Sequence, residues 1–232
     1  MMNKIEHEGL IGIGLYRSGE AARLVGLAPQ RLRRWIKGEK RSDRGAESVH
    51  PALGFRVADE GFLDFRDLME LRVIAALVNE GMSPGYVRAI YASIAALMED
   101  ERPFSTERFS QSFKTDGHAI YHRMVDRAGK VRLEEMLTGQ GQFERMIAPS
   151  LRNVEFDQGL ARRWRPKEGR NDVVIDPDRS FGQPVSDRSG VPTVTLFEAY
   201  RRTASLKRTA AEFEIDEREV RSAILFEERL AA

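Results

Sequence analysis

Cysteine is absent from this chain of 232 residues. Without it there is no disulfide framework, thiolate nucleophile, Cys-ligated zinc finger or iron–sulfur cluster. Histidine is scarce too: His7, His50, His118 and His122 are all there is, which leaves little material for another transition-metal site. Long hydrophobic runs are missing. Spanning a bilayer takes roughly 18–20 apolar residues, and the longest candidates, Val73–Val78 and Ala89–Met98, are short and sit inside helical patterns. Glu6 and Glu8 precede a brief apolar patch at Leu10–Leu15, which is not the layout of a secretory signal. These absences predict a cytoplasmic protein with no membrane partner. The phosphate-cradling GxxxxGK[ST] is lacking, and Gly9, Gly12, Gly14 and Gly19 do not form a dinucleotide fingerprint. No nucleophile–base constellation stands out. The expectation is a protein that is not an enzyme and carries no cofactor.

What is present is charge, balanced overall and uneven locally. The chain has 37 basic and 36 acidic residues, a net charge of +1, and 41% hydrophobic residues, enough for a real core. From Tyr16 to Arg44 nine basic residues face only three acidic ones, net +6. From Val194 to the end seven basic residues face eight acidic ones, net −1. A basic segment on a near-neutral chain fits a polyanionic partner; a solvated basic face without a partner is the alternative.

Local patterns predict mainly α structure with small β elements, an α+β fold. Ser18–Leu24 and Pro29–Lys37 read as two short helices, with Ser18 as N-cap, Pro29 in the first turn of the second, and Gly26 at the turn between them. Gly38–Val57 is polar, carries Gly45, Pro51 and Gly54, and reads as a loop or wing. Arg66–Asn79 places Leu68, Leu71, Val73, Ile74, Leu77 and Val78 at helical spacing; after Gly81, Ser83-Pro84 opens another helix with Val87, Ile90, Tyr91, Ile94 and Leu97 on one face. Pro103 marks a boundary. Phe109–Lys114 and His118–Met124 flank Asp116-Gly117, a hairpin signal. Gln142–Leu151 reads as a short helix, Val154–Phe156 and Ala161–Trp164 as short strands, and Pro166–Asn171 as a polar linker. Asp172–Pro177 reads as a strand stopped by proline, and Gly182–Pro192 as the turn-rich second half of a small hairpin. Helices return at Thr195–Thr203, Ser205–Phe213 and Asp216–Leu230. The division expected is 1–102, 103–170 and 171–232.

The first two helices have the layout of a helix-turn-helix, in which the second helix presents side chains to base edges. At about 100° per residue, Leu32, Trp35 and Ile36 share one apolar face. Arg34, Gln30 and Lys37 fall opposite, flanked by Arg31 and Arg33. Gln can read adenine and Arg guanine, while flanking cations such as Arg17, Lys40 and Arg41 suit phosphates. The run from Tyr16-Arg-Ser-Gly-Glu-Ala-Ala to Leu32-Arg-Arg-Trp35 resembles the opening of MerR-type winged helix-turn-helix proteins. Phe62–Glu80, Gly81-Met-Ser-Pro and Val87-Arg88 resemble that group's second helix pair. The resemblance covers about the first hundred residues and implies binding to double-stranded operator DNA, as a dimer if the operator has twofold symmetry. Metal-sensing members rely on cysteines, which this chain lacks, and Pro103 stands where typical members continue into a long dimerising helix.

The tail carries a second resemblance. Ile175-Asp-Pro, Phe181-Gly-Gln-Pro-Val185, Gly190-Val-Pro-Thr193, Ala210-Ala-Glu-Phe213 and Val220-x-x-Ala-Ile224 are similar to a small antitoxin-associated helical domain, a short hairpin before three helices. Asp187-Arg-Ser-Gly-Val191 replaces that family's commonest Gly-Thr-Arg turn. The whole arrangement resembles one subgroup of VapB-type antitoxins of type II toxin–antitoxin systems. That resemblance implies neutralisation of a PIN-like ribonuclease toxin and repression of the protein's own operon. Such nucleases hold divalent metal with clustered carboxylates, and Arg201, Arg202 and Arg208 are the cations here that would meet them. Two other readings remain open. One is a MerR-like regulator whose middle and C-terminal segments bind a small ligand, with Phe109, Phe113, Tyr121, Phe143 and Trp164 as lining candidates; the other is a nucleic-acid enzyme. Two further patterns have simpler explanations: His118 and His122 as surface or core histidines, and Asp172, Asp176 and Asp178 as turn residues.

Overall fold

The computed structural model describes residues 13–37, 40–43, 46–49, 62–115, 145–166 and 172–231; at 34–37, 40–43, 46–49 and 84 it describes only the backbone course. The fold is α+β, mainly helical with small antiparallel sheets, and divides into two units. The N-terminal unit comprises residues 17–152 and 156–161. The C-terminal unit comprises the residues up to Tyr16, 153–155 and 162–232.

The two-residue strand β1 (Tyr16–Arg17) precedes α1 (Ser18–Leu24) and α2 (Pro29–Lys37) of the N-terminal unit, and these helices begin and end where the sequence pattern places them. Gly26 adopts φ +72° at the turn, the left-handed region that glycine enters without steric cost. One expectation needs correction: the N-cap of α1 is Arg17 rather than Ser18, and no side chain caps it. The expected wing contains an antiparallel pair, β2 (Lys40–Asp43) with β3 (Ala46–Val49), with Lys40 opposite Val49. Gly45, Pro51 and Gly54 lie outside the described residues. After β4 (Phe62–Leu63), α3 (Phe65–Asn79) runs through the core. It is buried on nearly every side, from Phe65 to Val78, as expected of a helix without a solvent stripe. Asp64 begins it with a reciprocal capping box: Asp67 N donates to Asp64 Oδ1 at 2.7 Å, and Asp64 N donates to Asp67 Oδ2 at 3.2 Å. α4 (Pro84–Met98) follows with proline in its first turn.

The strand expected at Phe109–Lys114 is a helix. Residues 107–115 are α-helical (α5). Two local features override the hairpin pattern. The Thr106 hydroxyl accepts from Phe109 N at 3.2 Å, as an N-cap does. Phe109 and Phe113, one helical turn apart, pack ring to ring at 5.8 Å, with Phe104 4.9 Å from Phe109. His118–Met124 and the Asp116-Gly117 pair lie outside the described residues, as do 142–144 and the linker positions 167–171. Of the expected helix at Gln142–Leu151, residues 145–147 are α-helical and Ala148–Leu151 form a 3-10 turn.

The C-terminal unit is built on an antiparallel sheet of order β5 (Val154–Asp157), β6 (Leu160–Trp164), β7 (Val173–Ile175), β8 (Pro184–Ser186). Trp164 stands opposite Ile175, and Val173, Val174 and Ile175 opposite Ser186, Val185 and Pro184. The hairpin tip between β5 and β6 belongs to the N-terminal unit, where Glu107 N donates to Gly159 O at 2.9 Å. β7 is buried throughout and stops before Pro177, as expected. Three helices complete the unit: α6 (Thr193–Thr203), α7 (Leu206–Glu212) and α8 (Glu217–Ala231). Ser205 caps α7, its hydroxyl accepting from Arg208 N at 3.3 Å. Ala210, Val220 and Ile224 form the helical core, with Phe197, Tyr200, Leu206 and Ile215 packed against it.

Candidate functional sites

The α1–α2 pair is organised by its apolar side. Ala21, Ala22 and Leu32 are fully buried. Leu27 N donates to Ala22 O at 2.8 Å, closing the connection between the helices. On α2, Gln30, Arg31 and Arg33 are exposed, as is Arg17 just before α1. None of these three arginines has an ion-pair partner among the described residues, so their charges face solvent. Arg34 and Lys37 lie on α2, and Lys40 and Arg41 on β2, but their side chains lie outside the description.

The N-terminal unit also holds a buried polar assembly that sequence reasoning missed. Glu70, fully buried on α3, accepts from Ser105 N at 2.7 Å and Phe104 N at 3.2 Å. Arg102 Nη1 donates to Asp64 at 2.6 Å and to the buried Asp67 at 3.3 Å. Arg66 reaches Ser105 at 3.0 Å and Asp100 at 3.3 Å, and the Tyr91 hydroxyl donates to Glu101 O at 2.6 Å. Burial pushes Glu70 up to about 8, against the pull of the Ser105 and Phe104 N–H groups. Burial, helped by the neighbouring Asp64 charge, pushes Asp67 up to about 6. Burial works against the charge of Arg102, but its bonds to Asp64 and Asp67 outweigh it and raise its pKa. Burial alone lowers Arg72, whose Nη2 donates to Arg152 O at 3.1 Å, to about 9. The set latches residues 100–106 to α3. Its sequence signal was the run of Asp64, Asp67 and Glu70 on a helix otherwise too apolar to have a polar face.

In the C-terminal unit, Arg201 and Arg202 sit in the last turn of α6 and Arg208 in the first turn of α7; all three are exposed. Arg202 Nη2 donates to Glu212 at 2.8 Å, while Arg201 and Arg208 have no ion-pair partner among the described residues. Lys207, not singled out from sequence, is exposed beside them. Between Arg201 and Lys207–Arg208 the chain turns at Ala204 (φ +50°), where Thr203 and Thr209 hydroxyls bond at 2.8 Å. A groove of about 690 Å³ adjoins this corner, lined by Thr195, Glu198, Ala199, Arg201, Arg202, Glu212 and Phe213. Phe213 lines this groove half-buried.

The remaining polar groups of this unit have internal partners. Asp172 pairs with Arg218 at 2.8 Å, Asp176 with Arg163 at 2.5 Å, and Asp178 with Arg162. These three aspartates therefore act as structural acceptors. Among the described residues, no group of three or more His, Asp or Glu is placed to hold a metal ion. Burial opposes the charge of Glu219, but hydrogen bonds from Ser186 and Ser189 outweigh it and lower its pKa. Phe109, Phe113 and Trp164 are buried in the core, while Tyr121 and Phe143 lie outside the described residues. Among the described residues, no helix is long and apolar enough to cross a membrane.

No known family profile matches the chain. The chain is 26% identical over 227 residues to a protein of Mycobacterium tuberculosis named "Putative antitoxin VapB45", covering 91% of this chain and 93% of that one. Its fold is similar to the crystal structure of Rv2018 from Mycobacterium tuberculosis, with a TM-score of 0.67 and 21% identity over 92% of this chain and 99% of that one.

Proposed function

We propose that this protein is the antitoxin of a toxin–antitoxin pair. Its C-terminal unit binds and neutralises a PIN-like ribonuclease toxin. Its N-terminal helix pair, a MerR-like helix-turn-helix, binds double-stranded operator DNA and represses the operon that encodes both. It acts in the cytoplasm as a homodimer on a twofold operator. The likeness over nine-tenths of the chain to a protein named as an antitoxin supports the first statement.

The observation that carries the division of labour is the exposure of two separate cationic surfaces. Gln30, Arg31 and Arg33 face solvent on α2. Arg201 and Arg208 face solvent at the α6–α7 corner, beside a groove. The first set has the mixture of amide and guanidinium groups that base edges and phosphates require. The second is offered to the carboxylate cluster of a metal-dependent nuclease, which a guanidinium can neutralise bidentately.

Co-purification with the nuclease encoded next to it, together with gel shifts on its own promoter, tests the reading. A stoichiometric complex that silences magnesium-dependent RNA cleavage, and a shift that weakens as salt rises, are the expected results. Recovery of the protein alone, with the nuclease still active in its presence, overturns the antitoxin function. The ligand-responsive alternative gains no support from Phe109, Phe113 and Trp164, which pack into the core.

A further inference from the structure

The last helix, α8, turns one face inward and leaves the opposite one bare. Val220, Ala223, Ile224 and Phe226 are buried. At about 100° per residue, Arg221, Leu225 and Glu228 fall on the side away from them, and all three are exposed. Leu225 sits at the middle of that side with 55% of its surface in solvent. A single exposed leucine is ordinary; the charges on either side of it are less so.

Most charged groups of α8 have partners inside the C-terminal unit. Arg218 pairs with Asp172 at 2.8 Å. Glu219 accepts from Ser186 and Ser189, and Glu227 from the Thr193 hydroxyl. The Arg229 guanidinium lies 5.3 Å from the centre of the Phe226 ring. Arg221 and Glu228 have no ion-pair partner among the described residues. Nor do they suit each other, since pairs on one helix form between residues three or four apart. Glu217, the other unpaired charge, lies at the very start of the helix.

What one copy lacks, a second supplies. Arg221 stands before Leu225 and Glu228 after it, about 6 Å and about 4.5 Å away along the axis at 1.5 Å per residue. A twofold axis at Leu225 runs a second α8 antiparallel to the first. It keeps each residue on its own side of the seam and reverses its height. Arg221 then comes level with Glu228 of the second copy to within about 1.5 Å, and the reciprocal pair forms on the other side of the axis. The two leucines meet between them. A parallel pairing would instead set Arg221 against Arg221 and Glu228 against Glu228. The face is thus self-complementary in the way an isologous dimer requires, with flanking charges that fix its orientation.

We propose that the outer face of α8 is where two copies of this chain join, as an antiparallel helix pair with Leu225 at its twofold axis. The proposal rests on the homodimer reading above and gives it an interface. The patch is small beside the roughly 1,200–2,000 Å² of a stable interface, so monomer and dimer should exchange over a measurable range of concentration.

Sedimentation equilibrium of the full chain across a concentration series tests this. Leu225→Asp is expected to raise the dimer dissociation constant roughly tenfold or more, because it removes the apolar contact and sets like charges at the centre. Arg221→Glu alone should raise it about tenfold, since both ion pairs become repulsive. Adding Glu228→Arg to that variant should bring the constant back to within about twofold of the wild type. The circular dichroism spectrum should be the same for all of them, because the three side chains are exposed. A wild type that stays monomeric at every concentration overturns the interface and the homodimer reading together. A dimer untouched by Leu225→Asp leaves that reading standing and overturns the interface alone, as it does if the same variant loses the neighbouring nuclease while staying dimeric. A double variant no more dimeric than Arg221→Glu overturns the antiparallel register.

Discussion

Replacing Glu70 by Gln tests the account of the buried polar assembly, because the two side chains match in shape and differ in charge and in hydrogen bonding. Glu70 has no exposed surface and is pushed from 4.5 to about 8 by burial. A carboxyl whose pKa is higher in the folded than in the unfolded state holds its proton longer when folded. Stability is therefore unaffected by it below about pH 4.5 and falls as pH rises toward 8. Each pH unit in that window corresponds to about 1.4 kcal/mol, so the whole interval is worth on the order of 5 kcal/mol. Asp67, raised from 3.8 to about 6, adds its own fall at lower pH, which makes pH 6 to 8 the informative range. Gln cannot ionise, so its contribution is flat there. It carries a different penalty: with Oε1 accepting from Ser105 N, its amide N–H groups face Phe104 N, donor against donor, at a cost of about 1–3 kcal/mol. The variant should be less stable than the wild type at pH 6 and lose that disadvantage by pH 8. Urea denaturation followed by far-ultraviolet circular dichroism at half-unit pH steps measures the difference, in which the histidines cancel. A stability difference that stays constant from pH 6 to 8 refutes the reasoning.

Three further outcomes each turn on a single side chain. Arg34→Ala should weaken operator binding by about 1–3 kcal/mol if this side chain reads a base and leave toxin binding intact; gel shifts and pull-downs separate the two. Arg102→Ala should destabilise the N-terminal unit by about 3–5 kcal/mol, since it strands the buried Asp67 and its neighbour Asp64 without a counter-charge; chemical denaturation reads this. Ser205→Ala should cost about 1 kcal/mol, from the lost cap on Arg208 N, seen as a lower unfolding midpoint of the C-terminal unit.

Much of the fold was legible because the signals were local. α1 and α2 have the expected limits, since Gly26, Pro29 and the apolar face that includes Leu32 all act within a few residues. β7 ends before Pro177, as expected. Residues 107–115 were misread because a run containing Phe109 and Phe113 fits a strand or a helix in isolation. What decides is the hydroxyl of Thr106 and the ring of Phe104, packing partners that a strand pattern does not take into account. Of the site residues, the outward placement of Gln30, Arg31 and Arg33 on α2 was legible from helical spacing. The Arg202–Glu212 pair joins two helices and was not. Nor was the bond from the Tyr16 hydroxyl to Gly182 O, since no pattern links positions 166 residues apart.

The division of the chain into two units has a consequence for anyone wishing to cut it. The C-terminal unit is not one continuous stretch: it takes in the residues up to Tyr16, then 153–155, then everything from 162 onward. A fragment of residues 171–232 would keep all three tail helices but lose β6, leaving β7 with its ladder unpaired on that side. A buried strand turned into a bare edge is a template for self-association. The same fragment would also give up Tyr16, and with it the partner of the Gly182 carbonyl. Such a fragment should therefore aggregate, and its failure to capture a toxin would say nothing about the intact chain. Studies of either function in isolation are better served by point substitutions in the whole protein than by scissors.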